Sequence, residues 1–233
     1  MIRDCAIIFG YNEYSKKIAE QIHTEYPHFV LFTMSEVKRA QAKADGFESE
    51  IFDLSDDWKI IEERFDPRRV IAFCALENDA ENVFLTISLR SSFEDIAIIA
   101  LAQDHESAVK LTSAGANKVM PILQITANII VEMLEKPTVT EVFHEILYEN
   151  SALKIAQVSV PEGSFIVEKH LHDLDCSEEY DIIILAIVDH ELGATFSFTS
   201  KGHNHHIDPG DILIIVGYED KIAAFSKVLG VCV

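Results

Sequence analysis

Apolar and polar positions follow two alternating periods along the first half of the chain. Residues 6–9 (AIIF) form an apolar run that stops at Gly10, after which Tyr14, Ile18, Ala19 and Ile22 recur at helical spacing. The pattern predicts a strand, a tight turn and a helix, and it then repeats. Residues 29–32 predict a second strand, and Ser35 predicts the N-cap of a helix through Ala44, with Gly46 just past its end. Residues 49–52 predict a short third strand. The helix over 58–65 is expected to turn Ile60 and Ile61 inward. Residues 70–75 (VIAFCA) predict a buried strand, and residues 77–79 open a helix on which Val83, Phe84 and Ile87 share a face. Residues 96–100 and 119–120 predict two more strands, separated by a helix over 107–114. This alternation calls for right-handed crossovers and a mostly parallel sheet.

The rhythm breaks at Pro121. Ile122, Ile125, Ile129, Ile130 and Met133 line one face of a predicted helix over 122–135, and Lys136-Pro137 interrupts it. Thr138 and Glu141 have capping-box spacing, and Val139, Val142, Phe143, Ile146 and Leu147 align on the helix that follows. These faces could pack on the chain's own sheet or bury against another subunit. The second reading is favoured, because the preceding sheet already has covering helices. Beyond residue 150 the pattern becomes β-rich. Strands are predicted over 155–160, 181–188 and 212–216, with turns at 161–163, 192–193 and 208–211 and a closing helix over 218–228. The expected fold class is therefore α/β. A Rossmann-like doubly wound parallel sheet (1–120) precedes a helix–turn–helix connector (121–150) and a small β-rich α+β domain (151–233).

Composition narrows the partners. With 19 Lys plus Arg against 39 Asp plus Glu, the chain carries a net charge of −20. That argues against the basic surface a nucleic acid requires. The four cysteines are scattered without a C-x-x-C pair, as expected of reduced cytosolic thiols. No secretory signal is read at the N-terminus. The longest apolar run, 182–188, falls far short of the roughly 20 residues of a membrane helix, so direct membrane insertion is not expected.

Candidate chemistry gathers at the first turn. Dinucleotide folds use G-x-G-x-x-G here, so that the backbone can approach a pyrophosphate at a helix N-terminus. This chain has Gly10 but places Asn12 and Ser15 where the second and third glycines would stand. Two ligand classes stay open. An adenine nucleotide would sit over Gly10, Tyr11, Asn12 and Glu13, with Asp53 as a base or ribose contact. A capping acid is an equal reading of Asp53. Met34 occupies the position of the acid that holds ribose hydroxyls in NAD sites. The second class is a divalent cation. His203 and His205, in the run H-N-H-H at 203–206, could share a strand face and take a transition metal or form a proton sensor, or simply lie in an exposed polar hairpin. Neither a nucleophile turn nor H-E-x-x-H is present, and an enzyme is not expected.

Four stretches together resemble the regulator-of-potassium-conductance (RCK) family, TrkA-N followed by TrkA-C. AIIFGYNE is similar to the glycine-depleted turn of channel-type members. FDLSDD resembles the family's G-D-x-x-D, with Asp53 and Asp56 matching the acids and Phe52 in place of the glycine. IIALAQDHESAVKLTSAGANKVMPI resembles the fifth strand, its helix and the A-G-A-[DN]-x-V turn. VSVPEGSFIVEKHLHDLD and IDPGDILIIVGYEDKIAAF resemble the two halves of TrkA-C. The resemblance implies a cytoplasmic module at the inner face of the cell membrane that dimerises and builds an octameric gating ring under a potassium channel pore. It makes 122–149 the crossover and dimer-interface helices, with Ile122, Ile125, Ile129, Met133, Val142, Phe143 and Ile146 at the interface. Calcium-gated members carry acids after the fourth and fifth strands, where this chain has Ala75, Leu101 and Gln103. The alternative role is a soluble, nucleotide-binding regulatory subunit of a Trk- or Ktr-type potassium transporter.

Overall fold

The computed structural model describes residues 3–148, 152–171, 174, 176, 180–189, 196–198 and 206–231. The backbone divides into two compact units, Met1–Val131 and Glu132–Val233.

The first unit carries a six-stranded parallel sheet in the order β3-β2-β1-β4-β5-β6. Its strands are β1 (Cys5–Phe9), β2 (His28–Thr33), β3 (Ser49–Ile51), β4 (Val70–Cys74), β5 (Ala97–Ala102) and β6 (Lys118–Pro121). The helices between them are α1 (Glu13–Ile22), α2 (Glu36–Ala44), α3 (Lys59–Arg64), α4 (Asp79–Ser92) and α5 (His105–Ser113). Every residue of β1 is buried, as a central strand covered on both faces requires. Its side chains alternate between two cores. Ile7 and Phe9 join Phe32, Trp58, Ile61, Leu85 and Leu111 on one face, whereas Ile8 joins Ala19, Leu31, Ala42 and Phe47 on the other. Phe9 stacks on Phe32 with ring centroids 5.4 Å apart, and meets Phe52 and Trp58 edge-on.

Three sequence-based expectations change. Ile61 is fully buried, but Ile60 is 38% exposed, because α3 is short and offers one inward position to the sheet. Ser35 holds the N-cap position of α2 without making a side-chain cap hydrogen bond. Thr138 is not an N-cap: the helix starts one residue earlier at Pro137, whose fixed φ suits a first helical position. The Thr138–Glu141 spacing therefore falls inside the helix.

Helix α6 (Ile122–Glu135) is separated from α7 (Pro137–Tyr148) by Lys136 alone. The second unit holds a four-stranded antiparallel sheet in the order β7-β10-β8-β9. Its strands are β7 (Leu153–Ser159), β8 (Ile182–Val188), β9 (Phe196–Phe198) and β10 (Ile212–Tyr218), and α8 (Glu219–Leu229) closes it. Val158, Ile166, Ile187, Leu213, Ile215, Phe225 and Leu229 form its own core. The turn before β10 is made by residues 208–211, with Gly210 in the left-handed region and the Asp211 amide bonded to the Asp208 carbonyl at 3.2 Å. The expected hairpin at Leu192-Gly193 lies outside the described residues. Among the described residues no helix is long and apolar enough to cross a membrane.

Candidate functional site

In a doubly wound sheet, ligands bind beyond the carboxyl ends of the strands, where the chain order reverses. Here that point lies between β1 and β4. Two adjoining clefts open there. One, of ≈ 170 Å³, is lined by Gly10, Tyr11, Asn12, Thr33, Met34 and Ser35, with Lys38, Leu76, Glu77 and Glu81 opposite. The other, of ≈ 260 Å³, is lined by residues including Asn12, Glu13, Ala75, Leu101 and Gln103.

Gly10 is required by geometry. Its φ is +103°, and a Cβ there would lie 2.5 Å from the Ala75 carbonyl oxygen. The first-glycine role, a tight turn passing close to β4, is therefore kept.

The other two glycine positions do something different. Asn12 is the N-cap of α1, and its Oδ1 accepts from the Tyr14 and Ser15 amides at 3.0 and 3.1 Å. The Asn12 amide donates to Ser15 Oγ at 2.8 Å, and Asn12 Nδ2 donates to the Ala75 carbonyl at 2.7 Å. These amides are the donors a pyrophosphate would use. The neighbouring helices repeat the arrangement. Asn78 caps α4 by accepting from the Ala80 and Glu81 amides, and Asp104 caps α5 by accepting from the Ser107 amide. Buried Asn82 links the ends of β4 and β5. It accepts from the Leu76 amide at 2.8 Å and donates to the Leu76 and Leu101 carbonyls at 3.0 and 3.3 Å. Three helix N-termini at the strand ends are thus satisfied by their own side chains.

Charge reinforces the point. Glu13, Glu77, Asp79 and Glu81 line the clefts, and Lys38 is paired with Glu77. A polyanion would meet acids here, with the Asn12, Tyr14 and Ser15 amides already engaged. Both features disfavour the pyrophosphate of a dinucleotide.

Of the sequence candidates, Gly10, Tyr11, Asn12 and Glu13 come together at this cleft. Asp53 does not line it. That exposed residue follows β3, and its Oδ1 accepts from the Ser55 amide at 2.8 Å and the Ser55 hydroxyl at 2.5 Å, which holds its carboxyl below the usual carboxylate range. Ala75, Leu101 and Gln103 do reach the second cleft, where Gln103 Nε2 donates to the Glu77 carbonyl at 2.8 Å. Sequence reading missed Asn82. Its signal was a second Asn one helical turn after the capping Asn78. Among the described residues no group of three or more His, Cys, Asp or Glu could hold a metal ion. His203 and His205 lie outside the described residues. Cys5 and Cys74 are buried free thiols whose burial pushes each up to about 12, so neither is poised for redox or nucleophilic chemistry.

Seven expected interface residues lie on α6 and α7. Ile129, Met133, Val142 and Phe143 are exposed, and Ile122, Ile125 and Ile146 are half-buried. No residue of α6 is buried, and Leu123, Ile130 and Leu134 add to the exposed apolar surface.

Comparison with known proteins agrees with this layout. Residues 6–121 match the TrkA-N domain model and residues 155–230 the TrkA-C domain model. The chain is 25% identical to the probable potassium channel protein 2 of Methanocaldococcus jannaschii and 23% identical to potassium channel protein 1 of that organism. Each match covers 95% of this chain and 65% of the relative, so the chain spans about two-thirds of their length. The human SLO3 gating ring shares the fold, with a TM-score of 0.66 over 95% of this chain and 45% of that one, at 11% identity. The two domain models, matched in this order over residues 6–121 and 155–230, place the chain in the RCK family as a TrkA-N domain followed by a TrkA-C domain.

Proposed function

We propose that this chain is the gating module of a potassium channel. It dimerises through α6 and α7, assembles further into an octameric ring, and controls a pore at the inner face of the cell membrane. The observation that carries the reading is the exposed apolar surface of the helix pair. A 14-residue helix with no buried position, carrying Leu123, Ile129, Ile130, Met133 and Leu134, is costly in water and is stabilised by a partner. A closed ring of dimers needs a second interface beyond the one that makes the dimer. A candidate exists on the first unit, where Phe84 and Ile87 of α4 and Val109 of α5 are each about half exposed beside Arg90 and Lys110.

The module acts by binding and shape rather than by turnover. Its ligand shifts the pore only by its differential affinity for two ring geometries. The reading as a nucleotide-regulated transporter subunit is the weaker one, because it needs loop amides that Asn12 and Ser15 already occupy. The test is to join the chain to the pore-forming part of its channel and record potassium currents. Currents that change when Ile129 and Phe143 are replaced by Asp support gating through this interface. Unchanged currents refute it.

A further inference from the structure

The antiparallel sheet of the second unit is apolar on both of its faces. When such a sheet shows one face to water, its strands alternate apolar and polar residues. Strands β8 (IIILAIV) and β10 (ILIIVGY) do not. One face is covered in the usual way, where Val158, Ile187, Leu213 and Ile215 join Phe225 and Leu229 of α8 in the core. On the opposite face the strand register sets Ile155 of β7, Val216 of β10 and Ile183 of β8 in one row, with Ile214 in the next. Leu185 is the extra residue of a bulge beside them, where the register shifts between Ile214 and Ile215. Ile155, Ile214 and Val216 are half-buried, Leu185 and Tyr218 are exposed, and Ile183 is 58% exposed.

We propose that this second face receives α7 of a second copy of the chain, so that each copy lays its helix on the other's sheet. The inference rests on the dimer argued above and names the surface that the helix pair packs against. Both halves of the contact lie uncovered in the same unit. On α7, Val139, Val142, Phe143, Ile146 and Leu147 share one side, and all but Ile146 are exposed. The helix approaches its own sheet at the β7 edge, and its apolar stripe stays open to solvent there.

Area argues for a second copy. A stable dimer buries about 800 Å² per partner. The helix pair, 14 and 12 residues long, presents two strips about 20 Å by 10 Å, or roughly 400 Å². Three seven-residue strands present a face of roughly 300 Å². Neither surface reaches the requirement alone, and together they approach it. A two-fold axis then repeats the helix-on-sheet contact, as an isologous interface requires.

The test is sedimentation velocity of the intact chain over a concentration series. The wild type is expected to dimerise. Ile183→Lys/Leu185→Lys should weaken the dimer at least about tenfold, because each apolar contact is lost twice across the axis. Val142→Asp/Phe143→Asp should do the same. A mixture of the two variants should dimerise at a concentration where neither does alone, since the heterodimer keeps one unaltered helix-on-sheet contact. Tyr218→Lys, at the exposed end of β10, decides the matter if the double sheet variant fails to fold. Sheet variants that dimerise as the wild type does, beside a monomeric helix variant, overturn this inference and leave the helix-pair dimer standing. A mixture that stays monomeric overturns the pairing of α7 with the sheet. A monomeric wild type overturns both readings.

Discussion

Asn12 and Ser15 cap each other: Asn12 Oδ1 accepts the Ser15 amide at 3.1 Å while Ser15 Oγ accepts the Asn12 amide at 2.8 Å. Both residues stand where a dinucleotide loop carries glycine, and together they take the donors that such a loop leaves free. NAD, ADP and ATP should therefore leave the wild-type melting temperature unchanged, since a ligand raises it only by binding the native state. Asn12→Ala should lower stability by about 1 kcal/mol through loss of the cap, with a further loss from the bond to Ala75. A nucleotide-dependent rise in the wild type would show that the cleft accepts a phosphate despite its capping.

Gly10→Ala tests the same turn from the steric side. The added methyl would meet the Ala75 carbonyl oxygen at 2.5 Å, on a backbone whose φ of +103° disfavours any side chain. Strain and overpacking together should cost about 2–5 kcal/mol. Trp58 reports the result cleanly. It is the one tryptophan of the sequence, it is 2% exposed, and it sits in the first unit's core, so urea unfolding followed by its fluorescence reads that unit. An unshifted midpoint would mean that the turn can relax away from β4.

Much of this architecture was legible in the sequence. The alternation of apolar runs with helical periods set out all six parallel strands in order, because a central strand such as β1 is buried on both faces and reads as an unbroken apolar run. Boundaries slipped where one residue decides them. Pro137 starts α7 and displaces the Thr138 box, and α3 is too short to bury both Ile60 and Ile61. The glycine count of the first turn was legible as well, but the reason it matters was not. That reason is a set of hydrogen bonds from Asn12, Ser15 and Asn82 to backbone groups, the farthest of them about 60 residues away in sequence. No periodicity encodes such contacts. Nor could spacing pair His170 with His206, which meet across a bridge that joins two distant segments.

Asp45 and Tyr11 should shape opposite limbs of the stability–pH curve. The Asp45 carboxylate accepts from Lys16 Nζ at 2.8 Å and from the buried Tyr11 hydroxyl, tying α1 and the first turn to the end of α2. The Lys16 and Tyr11 bonds hold Asp45 below its ordinary value. Its contribution is therefore present above the unfolded carboxylate value of about 3.9 and is lost as pH falls through the lower folded value. Burial, then the bond to Asp45, raises Tyr11. Its contribution is complete below the unfolded phenol value of about 10 and is lost as pH rises past it. Asp45→Asn should flatten the acid limb and Tyr11→Phe the alkaline one, both read as urea midpoints against pH. An acid limb unchanged in Asp45→Asn would remove Asp45 from the account.

The two exposed apolar faces should separate by assembly state. Ile129 and Phe143 are 44% and 49% exposed on α6 and α7, and Phe84 and Ile87 are 54% and 51% exposed on α4. Burying one large apolar side chain is worth roughly 1.5–3 kcal/mol, and an unpaired carboxylate in its place adds a desolvation cost. Ile129→Asp/Phe143→Asp should therefore leave monomers in sedimentation velocity. Phe84→Asp/Ile87→Asp should stop assembly at the dimer, because it spares the helix pair and removes the contact between dimers. Neither substitution replaces a buried side chain, so both variants should keep the wild-type Trp58 fluorescence. If the α4 variant lost dimers while the α6–α7 variant kept them, the two faces would have exchanged roles. If both sedimented as the wild type does, neither face would carry the assembly.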